Sequence, residues 1–209
     1  MIVSTQRRHV LGYTGGAITV VADLSDIAPA DLGDMVIDDS GRAYVGSQAA
    51  GTGLIARVDP DGGVVVVADG LDFPNGMVIT QDRSTLIVAE SLGRRLTAYA
   101  IGEDGSLHSR RIWADALDGF PDGITLDADG GVWVSMTLSH QSERIIEGGN
   151  VTDRIHMGER AAIACMLGGP EARTLFLLSN IGANPKHLVE TKTARVGVVT
   201  VETPVAGLP

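Results

Sequence analysis

The sequence predicts an all-β protein, a β-propeller of four-stranded blades, and two observations lead to that prediction. Apolar residues come in runs of four to six that Asp-Gly, Gly-Gly and Ser-Gly pairs interrupt, which is typical of short strands joined by tight turns. In addition, one unit of turn, apolar run, polar turn and second apolar run recurs along the chain. A helical repeat would instead place apolar residues three and four positions apart.

The repeated unit is clearest in residues 71–91, where Pro74-Asn75-Gly76 is expected to form a turn at the mouth of a β-hairpin. Its apolar runs recur at intervals of 42, 47 and 41 residues, measured from Met35 to Met77, Ile124 and Cys165. Repeats of about 40 to 50 residues that consist of strands and turns are typical of propeller blades. The interval therefore predicts one blade per repeat.

Taken in order, residues 1–24 are expected to supply the last three strands of a blade whose first strand is absent. Three complete blades should follow, and a fourth copy should begin near residue 161 and end with a strand over residues 195–202. Residues 181–186 are expected to form an exposed loop. We expect one domain over residues 1–209, with about four and a half blades and therefore an open edge.

Composition narrows the classes of function. The formal net charge is −10 and the basic pairs are isolated, which argues against a broad nucleic-acid surface. No apolar stretch is long enough to span a membrane, and the N-terminal apolar run is too short for a signal peptide. Cys165 is the single cysteine, so an intrachain disulfide is excluded and a buried, inert thiol is expected. We therefore expect a cytoplasmic protein without nucleic-acid or membrane partners.

Three polar residues, Asp34, Asn75 and Asp122, are predicted to lie just before the innermost strands of successive blades. Because those strands surround one channel, the three side chains should converge at its mouth, where carboxylate and amide oxygens suit a hard divalent cation. Asn and Asp before Gly are also common turn formers whose side chains bond their own backbone. Both interpretations remain open on the pattern alone.

Six short stretches occur in a characteristic order: residues 73–77 (FPNGM), 85–90 (TLIVAE), 94–99 (RRLTAY), 121–124 (PDGI), 131–134 (GVWV) and 164–170 (ACMLGGP). In this order they resemble the senescence marker protein, gluconolactonase and luciferin-regenerating enzyme family, and the resemblance runs through nearly the whole chain. The resemblance implies a six-bladed propeller, here shortened by about one and a half N-terminal blades. It also implies hydrolysis of a sugar lactone and one bound divalent cation, usually Ca²⁺ or Zn²⁺, with Mg²⁺ or Mn²⁺ also possible.

The same resemblance implies roles for individual residues. Asn75 and Asp122 match two of the three family metal ligands, and Asp122 would also act as the general base. Asp34 matches a substrate-binding aspartate. The family's glutamate ligand has no counterpart in this sequence, and a substrate-binding arginine and asparagine are replaced by Asp31 and Gly33. Asp34 or Asp31 could supply part of the missing charge.

Three hypotheses follow. The first is a metal-dependent lactone hydrolase that uses Asn75 and Asp122. The second, motivated by the departures from the family pattern, is a truncated and inactive propeller that binds a ligand or partner. The third is a scaffold that self-associates through its open edge.

Overall fold

The computed structural model describes residues 1–182 and 191–208 and places eighteen strands in this part of the chain. The strands form five antiparallel sheets, numbered here as blades 1 to 5 in chain order. The loop predicted at residues 181–186 falls outside the described residues from position 183 onward. No helix within the described ranges is long and apolar enough to cross a membrane.

The strand bounds are as follows. Blade 1 contains β1 (Ile2–Ser4), β2 (His9–Thr14) and β3 (Ala17–Asp23). Blade 2 contains β4 (Leu32–Ile37), β5 (Ala43–Ser47), β6 (Gly53–Val58) and β7 (Val64–Leu71). Blade 3 contains β8 (Pro74–Ile79), β9 (Thr85–Glu90), β10 (Arg95–Ile101) and β11 (Leu107–Ala114). Blade 4 contains β12 (Pro121–Leu126), β13 (Val132–Met136), β14 (Gln141–Ile145) and β15 (Val151–His156). Blade 5 contains β16 (Ala161–Gly168), β17 (Thr174–Asn180) and β18 (Arg195–Thr200).

The blades are arranged around a common axis. Within each sheet the strands pair in sequence order, and the first strands of blades 2 to 5 pack side by side, β4 on β8, β8 on β12 and β12 on β16. This confirms an all-β propeller and the three strands predicted in residues 1–24. The described sheets number five, so the six-bladed architecture and the N-terminal shortening stay predictions.

Hydrophobic clusters fill the spaces between neighbouring blades, as expected for sheets that each bury two faces. Four clusters join successive blades, and representative members are Val10 and Val45, Tyr44 and Leu86, Leu96 and Val134, and Trp133 and Leu175. Cys165 belongs to the last cluster, where burial raises the pKa of its thiol to about 12. The prediction that this cysteine is buried is therefore confirmed.

The predicted turn at Pro74-Asn75-Gly76 is wrong, because these residues begin β8. Pro74 pairs with Glu90 and Met77 with Val88, so Asn75 and Gly76 lie opposite the single residue between those partners. This is a β-bulge, which interrupts the ladder and re-aims the side chains of the extra residue and its neighbour. Blades 2 and 4 carry bulges at the equivalent place, between the first and fourth residues of β4 and β12.

The register of these bulges also corrects the position of Asp34. Gly33, not Asp34, is the second residue of β4 and is therefore equivalent to Asn75 in β8 and Asp122 in β12. Asp34 occupies the position of Gly76, one residue further along the strand. The three candidate residues consequently lie within the innermost strands rather than in turns before them.

The C-terminal segment crosses the opposite end of the innermost strands. Leu208 pairs with Ile79 at the end of β8, and Val205 pairs with Asp127 just after β12. A Cβ atom at Gly207 would clash with the Ile79 carbonyl oxygen, and this residue has a φ of +74°, so glycine is required there. The bulges and the C-terminal segment therefore mark opposite ends of the channel.

Blades 1 and 5 carry exposed apolar side chains, and these are the surfaces on which the predicted self-association would depend. Tyr13, Ile18 and Val20 are exposed in blade 1, and Val196 and Val198 are exposed in blade 5. Exposed apolar patches often mark interaction sites. Self-association through them stays a prediction.

We expect Gly76→Ala to destabilise the fold by about 2 kcal/mol, because overpacking at a rigid contact is costly. A Cβ atom at this position would lie 2.5 Å from the Asp122 carbonyl oxygen and 2.7 Å from the Ile124 nitrogen. Gly197→Ala is the matched control, since its nearest neighbour would be 3.9 Å away. Urea unfolding of both variants measures the difference, and equal stabilities would contradict the close approach of β8 and β12.

Candidate functional site

The candidate site lies at the end of the channel where β4, β8 and β12 begin. The bulges there bring Asn75 of β8 within hydrogen-bonding reach of Asp122 of β12, and the negative charge of Asp34 in β4 acts on Asp122. The glycines after Asn75 and Asp122 allow this approach, because Gly76 packs on the backbone of β12 and Gly123 packs on Ala164 of β16. The structure thus brings together the three residues that the sequence singled out.

Hydrogen bonds fix the orientation of the Asn75 carboxamide. Ser91 Oγ donates its proton to the Pro121 carbonyl oxygen over 2.6 Å, so the same oxygen can only accept from Asn75. Asn75 Nδ2 therefore faces Ser91 at 3.2 Å. Its Oδ1 points the other way and accepts a hydrogen bond from Gln48 Nε2 at 3.2 Å. Asn75 is buried, and its oxygen is presented on the side opposite Ser91.

Asp122 is held by Thr137, whose hydroxyl donates to Oδ2 over 3.1 Å. Burial, and secondly the negative charge of Asp34, raise the pKa of Asp122 to about 7, while hydrogen bonds from Thr137 and Asn75 act in the opposite direction. Burial also raises the pKa of Asp34 above its usual range. Asp34 is exposed by surface area, but protein atoms at the concave channel end replace much of the bulk water around its carboxylate.

Neither carboxylate has a cationic partner among the described residues, since every ion pair in that part of the chain joins other groups. Two neighbouring acids without compensation, together with the carboxamide oxygen of Asn75, form a set of hard oxygen donors. Such a set fits a divalent cation of the Ca²⁺ or Mg²⁺ type. The described ranges contain no cluster of three or more His, Cys, Asp or Glu residues.

Sequence reasoning missed Gln48, Ser91 and Thr137. Each directly follows the second strand of its blade, after β5, β9 and β13. Aligning the repeats would have found a polar residue at this position in three successive copies. Their contacts with Asn75 and Asp122 span up to 27 residues of sequence, so no local pattern reports them.

The structure also has grooves away from this site. Two grooves of about 480 and 470 Å³ lie between blades 3 and 4 and between blades 4 and 5. Neither is lined by Asp34, Asn75 or Asp122. Convergence of uncompensated acids therefore marks the candidate site better than groove size does.

A sequence model described as the SMP-30/Gluconolactonase/LRE-like region matches residues 1–181. Pentonolactonase XacC of Haloferax volcanii is 28% identical over 155 residues, which cover 72% of this chain and 53% of that protein. The 6-deoxy-6-sulfogluconolactonase of Pseudomonas putida is 26% identical over 151 residues, which cover 69% and 52%. The chain thus spans about half the length of these curated relatives.

Two solved structures show the same fold. A luciferin-regenerating enzyme superposes with a TM-score of 0.81 at 19% identity, over 96% of this chain and 74% of the other. A calcium-binding protein, regucalcin, from Agrobacterium tumefaciens superposes with a TM-score of 0.75 at 19% identity, over 92% and 68%. These likenesses agree with the propeller architecture of the described residues.

The raised pKa of Asp122 predicts a pH dependence of stability in the presence of a chelator. The folded protein keeps a proton on Asp122 between about pH 4 and pH 7, where the unfolded chain has lost it, so stability falls as pH rises through this window. Asp122→Asn removes the titrating group. We expect this variant to exceed the parent protein at pH 8 by about 1 to 3 kcal/mol and to show a shallower pH slope.

Urea unfolding between pH 4.5 and pH 8, chosen to bracket that window, measures both slopes. Asp26→Asn is the control, because Asp26 is exposed and lies outside the site. Parallel curves for the parent protein and Asp122→Asn would show that Asp122 ionises as it does in the unfolded chain.

Proposed function

Because the chain belongs to the SMP-30/gluconolactonase/LRE-like family, we propose that it hydrolyses a sugar lactone at the channel end formed by β4, β8 and β12, with one divalent cation. The observation that carries the proposal is the convergence of Asn75 and Asp122 from equivalent bulges, with Asp122 at a pKa of about 7. The names of the two curated relatives, both lactonases, support the reaction class.

The cation would be held by Asn75 Oδ1 and the Asp122 carboxylate, with Asp34 adding negative charge nearby. Bound there, it would supply Lewis-acid polarisation of the lactone carbonyl. Ca²⁺ and Zn²⁺ are the ions that the family resemblance favours, and Mg²⁺ or Mn²⁺ suit the same oxygen donors. Asn75 Nδ2 donates to Ser91, so Asn75 Oδ1, which accepts a hydrogen bond from Gln48, is the atom of this carboxamide that could act as the ligand.

Asp122 is the proposed general base. Thr137 donates to Oδ2, and Oδ1 is the oxygen proposed to accept a proton from the attacking water. A pKa of about 7 suits this role, because a base works best when its proton affinity matches the operating pH. The water oxygen bonds to the carbonyl carbon, the ring C–O bond breaks, and the ring oxygen takes a proton to give a hydroxy acid.

Asp34 is the proposed substrate-binding residue at the same end of the channel. Its carboxylate can accept hydrogen bonds from sugar hydroxyl groups, the dominant polar groups of a sugar lactone. Its charge also raises the proton affinity of Asp122.

The relatives' activities favour this reaction over the inactive binding module considered from the sequence. A cytoplasmic location stays a prediction, and one structural neighbour is a periplasmic gluconolactonase of Pseudomonas aeruginosa.

We expect lactone opening that depends on a divalent cation and falls by about 100-fold or more in Asp122→Ala, the usual contribution of a general base. Proton release on a panel of aldonolactones, with Ca²⁺, Zn²⁺, Mg²⁺ or Mn²⁺ supplied separately, measures the activity. Calorimetric titration with each cation alone measures binding, which Asn75→Ala should weaken. Asp26→Asn serves as the matched control and should retain both properties.

The outcomes separate the parts of the proposal. Full activity in Asp122→Ala would contradict the assignment of Asp122 as the general base. Activity that survives chelation would contradict the requirement for a cation. Cation binding without turnover of any lactone would favour the second hypothesis, a ligand-binding propeller without catalysis.

A further inference from the structure

The bulge positions of blades 2, 3 and 4 are equivalent by strand register, yet one of them carries no side chain. They are Gly33, Asn75 and Asp122, each the second residue of its innermost strand. Asn75 and Asp122 direct polar groups into the site. If only the innermost strands supplied side chains to the site, blade 2 would contribute none from this position, because Gly33 has no side chain.

The side chain of Gln48 occupies the space that Gly33 leaves. A Cβ atom at Gly33 would lie 2.5 Å from Gln48 Nε2, 2.7 Å from Cδ and 2.9 Å from Cγ. These distances are too short for Gln48 and a side chain at position 33 to coexist as placed. The carboxamide of Gln48 therefore lies where the side chain of a residue at position 33 would begin.

Hydrogen bonds anchor Gln48 and direct its carboxamide toward the candidate site. Its backbone N–H donates to the Asp31 carbonyl oxygen over 2.8 Å, directly beside the start of β4. Its Nε2 donates to Asn75 Oδ1 at 3.2 Å, which places the carboxamide against the proposed cation ligand. Within the described part of the chain, Gln48 Oε1 makes no hydrogen bond, so one acceptor and one amide hydrogen remain for a ligand.

We propose that the Gln48 carboxamide replaces the missing side chain at position 33 and hydrogen-bonds a hydroxyl group of the sugar lactone. This rests on the proposed lactonase function and adds a specificity-determining residue to that site. Gln48 and Asp34 then contact the substrate from blade 2, while Asn75 and Asp122 lie at the same site in blades 3 and 4. The role predicts an effect of Gln48 on substrate affinity rather than on the chemical step.

Steady-state kinetics of the cation-loaded protein on its best aldonolactone test the assignment. Gln48→Ala should raise KM about three- to tenfold with little change in kcat, the effect expected from losing one neutral hydrogen bond. Gln48→Met keeps the length of the side chain without the carboxamide and should show the same rise. Gln81→Ala is the control, because Gln81 is an exposed glutamine beyond the opposite end of β8.

The decisive variant moves the carboxamide back to the strand. Gly33 does not have a positive φ, so the backbone at position 33 accepts asparagine. In Gly33→Asn with Gln48→Ala, the new side chain stands at the position that Asn75 holds in β8, and KM should return to within about threefold of the parent value. If Gln48 had only a structural role, the Gly33→Asn substitution would not restore KM.

Thermal unfolding tests the geometry without using activity. Gly33→Ala should lower Tm in the parent protein, where the new Cβ meets Gln48, and have little effect in the Gln48→Ala background. Unchanged KM in both Gln48 variants of an active protein, or additive changes in Tm, would overturn the assignment of Gln48 alone. Absence of lactone opening in the parent protein would overturn the proposed function and, with it, the substrate contact.

Discussion

The close approach of the innermost strands is the constraint on which the candidate site depends. At the contact of β8 with β12, a single added methyl group would meet backbone atoms at 2.5 and 2.7 Å. The contact of β12 with β16 is similar, since a Cβ atom at Gly123 would lie 2.7 Å from the Ala164 Cβ. The bulges of β8 and β12 therefore each pair a polar residue, directed into the site, with a glycine that lets the next blade approach.

A buried carboxylate in the scaffold and the carboxylate at the site have different hydrogen-bond and charge partners. Glu90, at the end of β9, is fully buried and accepts hydrogen bonds from Arg95, Arg110, Thr97 and the Asp72 backbone. Although burial opposes ionisation, these partners lower the pKa of Glu90 to about 2. Asp122, by contrast, has only neutral donors and a like charge nearby, and its pKa rises to about 7. The scaffold carboxylate is neutralised within the chain, and the site carboxylate is left for a ligand to neutralise.

Much of the fold follows from the sequence because the repeat is regular. The interval between copies and the apolar runs predict blades, the strands of residues 1–24 and the inner strand at residue 161, all of which the structure contains. The Pro-Asn-Gly segment was misassigned because proline and glycine signal both a turn and the bulged start of a strand. Asp34 was placed one residue out of register for the same reason, since only the strand pairing shows where the bulge lies.

The contacts around the site could not be predicted, because they depend on how blades meet. Gln48 reaches from blade 2 to Asn75 in blade 3, and Ser91 reaches from blade 3 to the Pro121 carbonyl in blade 4. Each is one polar residue after an apolar run, and such residues are common at strand ends. The packing of β4, β8 and β12 decides that these particular residues meet.

The five blades do not contribute equally, and this asymmetry places the site. In blades 2, 3 and 4, the residue after the second strand is Gln48, Ser91 or Thr137, and each is polar and contacts Asn75 or Asp122. In blade 5, the bulged residue of β16 is Ile163 and the residue after β17 is Ile181. The polar residues that contact Asn75 or Asp122 from this position thus come from three successive blades, which argues for a site on one side of the channel axis. A ligand held there would contact blades 2 to 4.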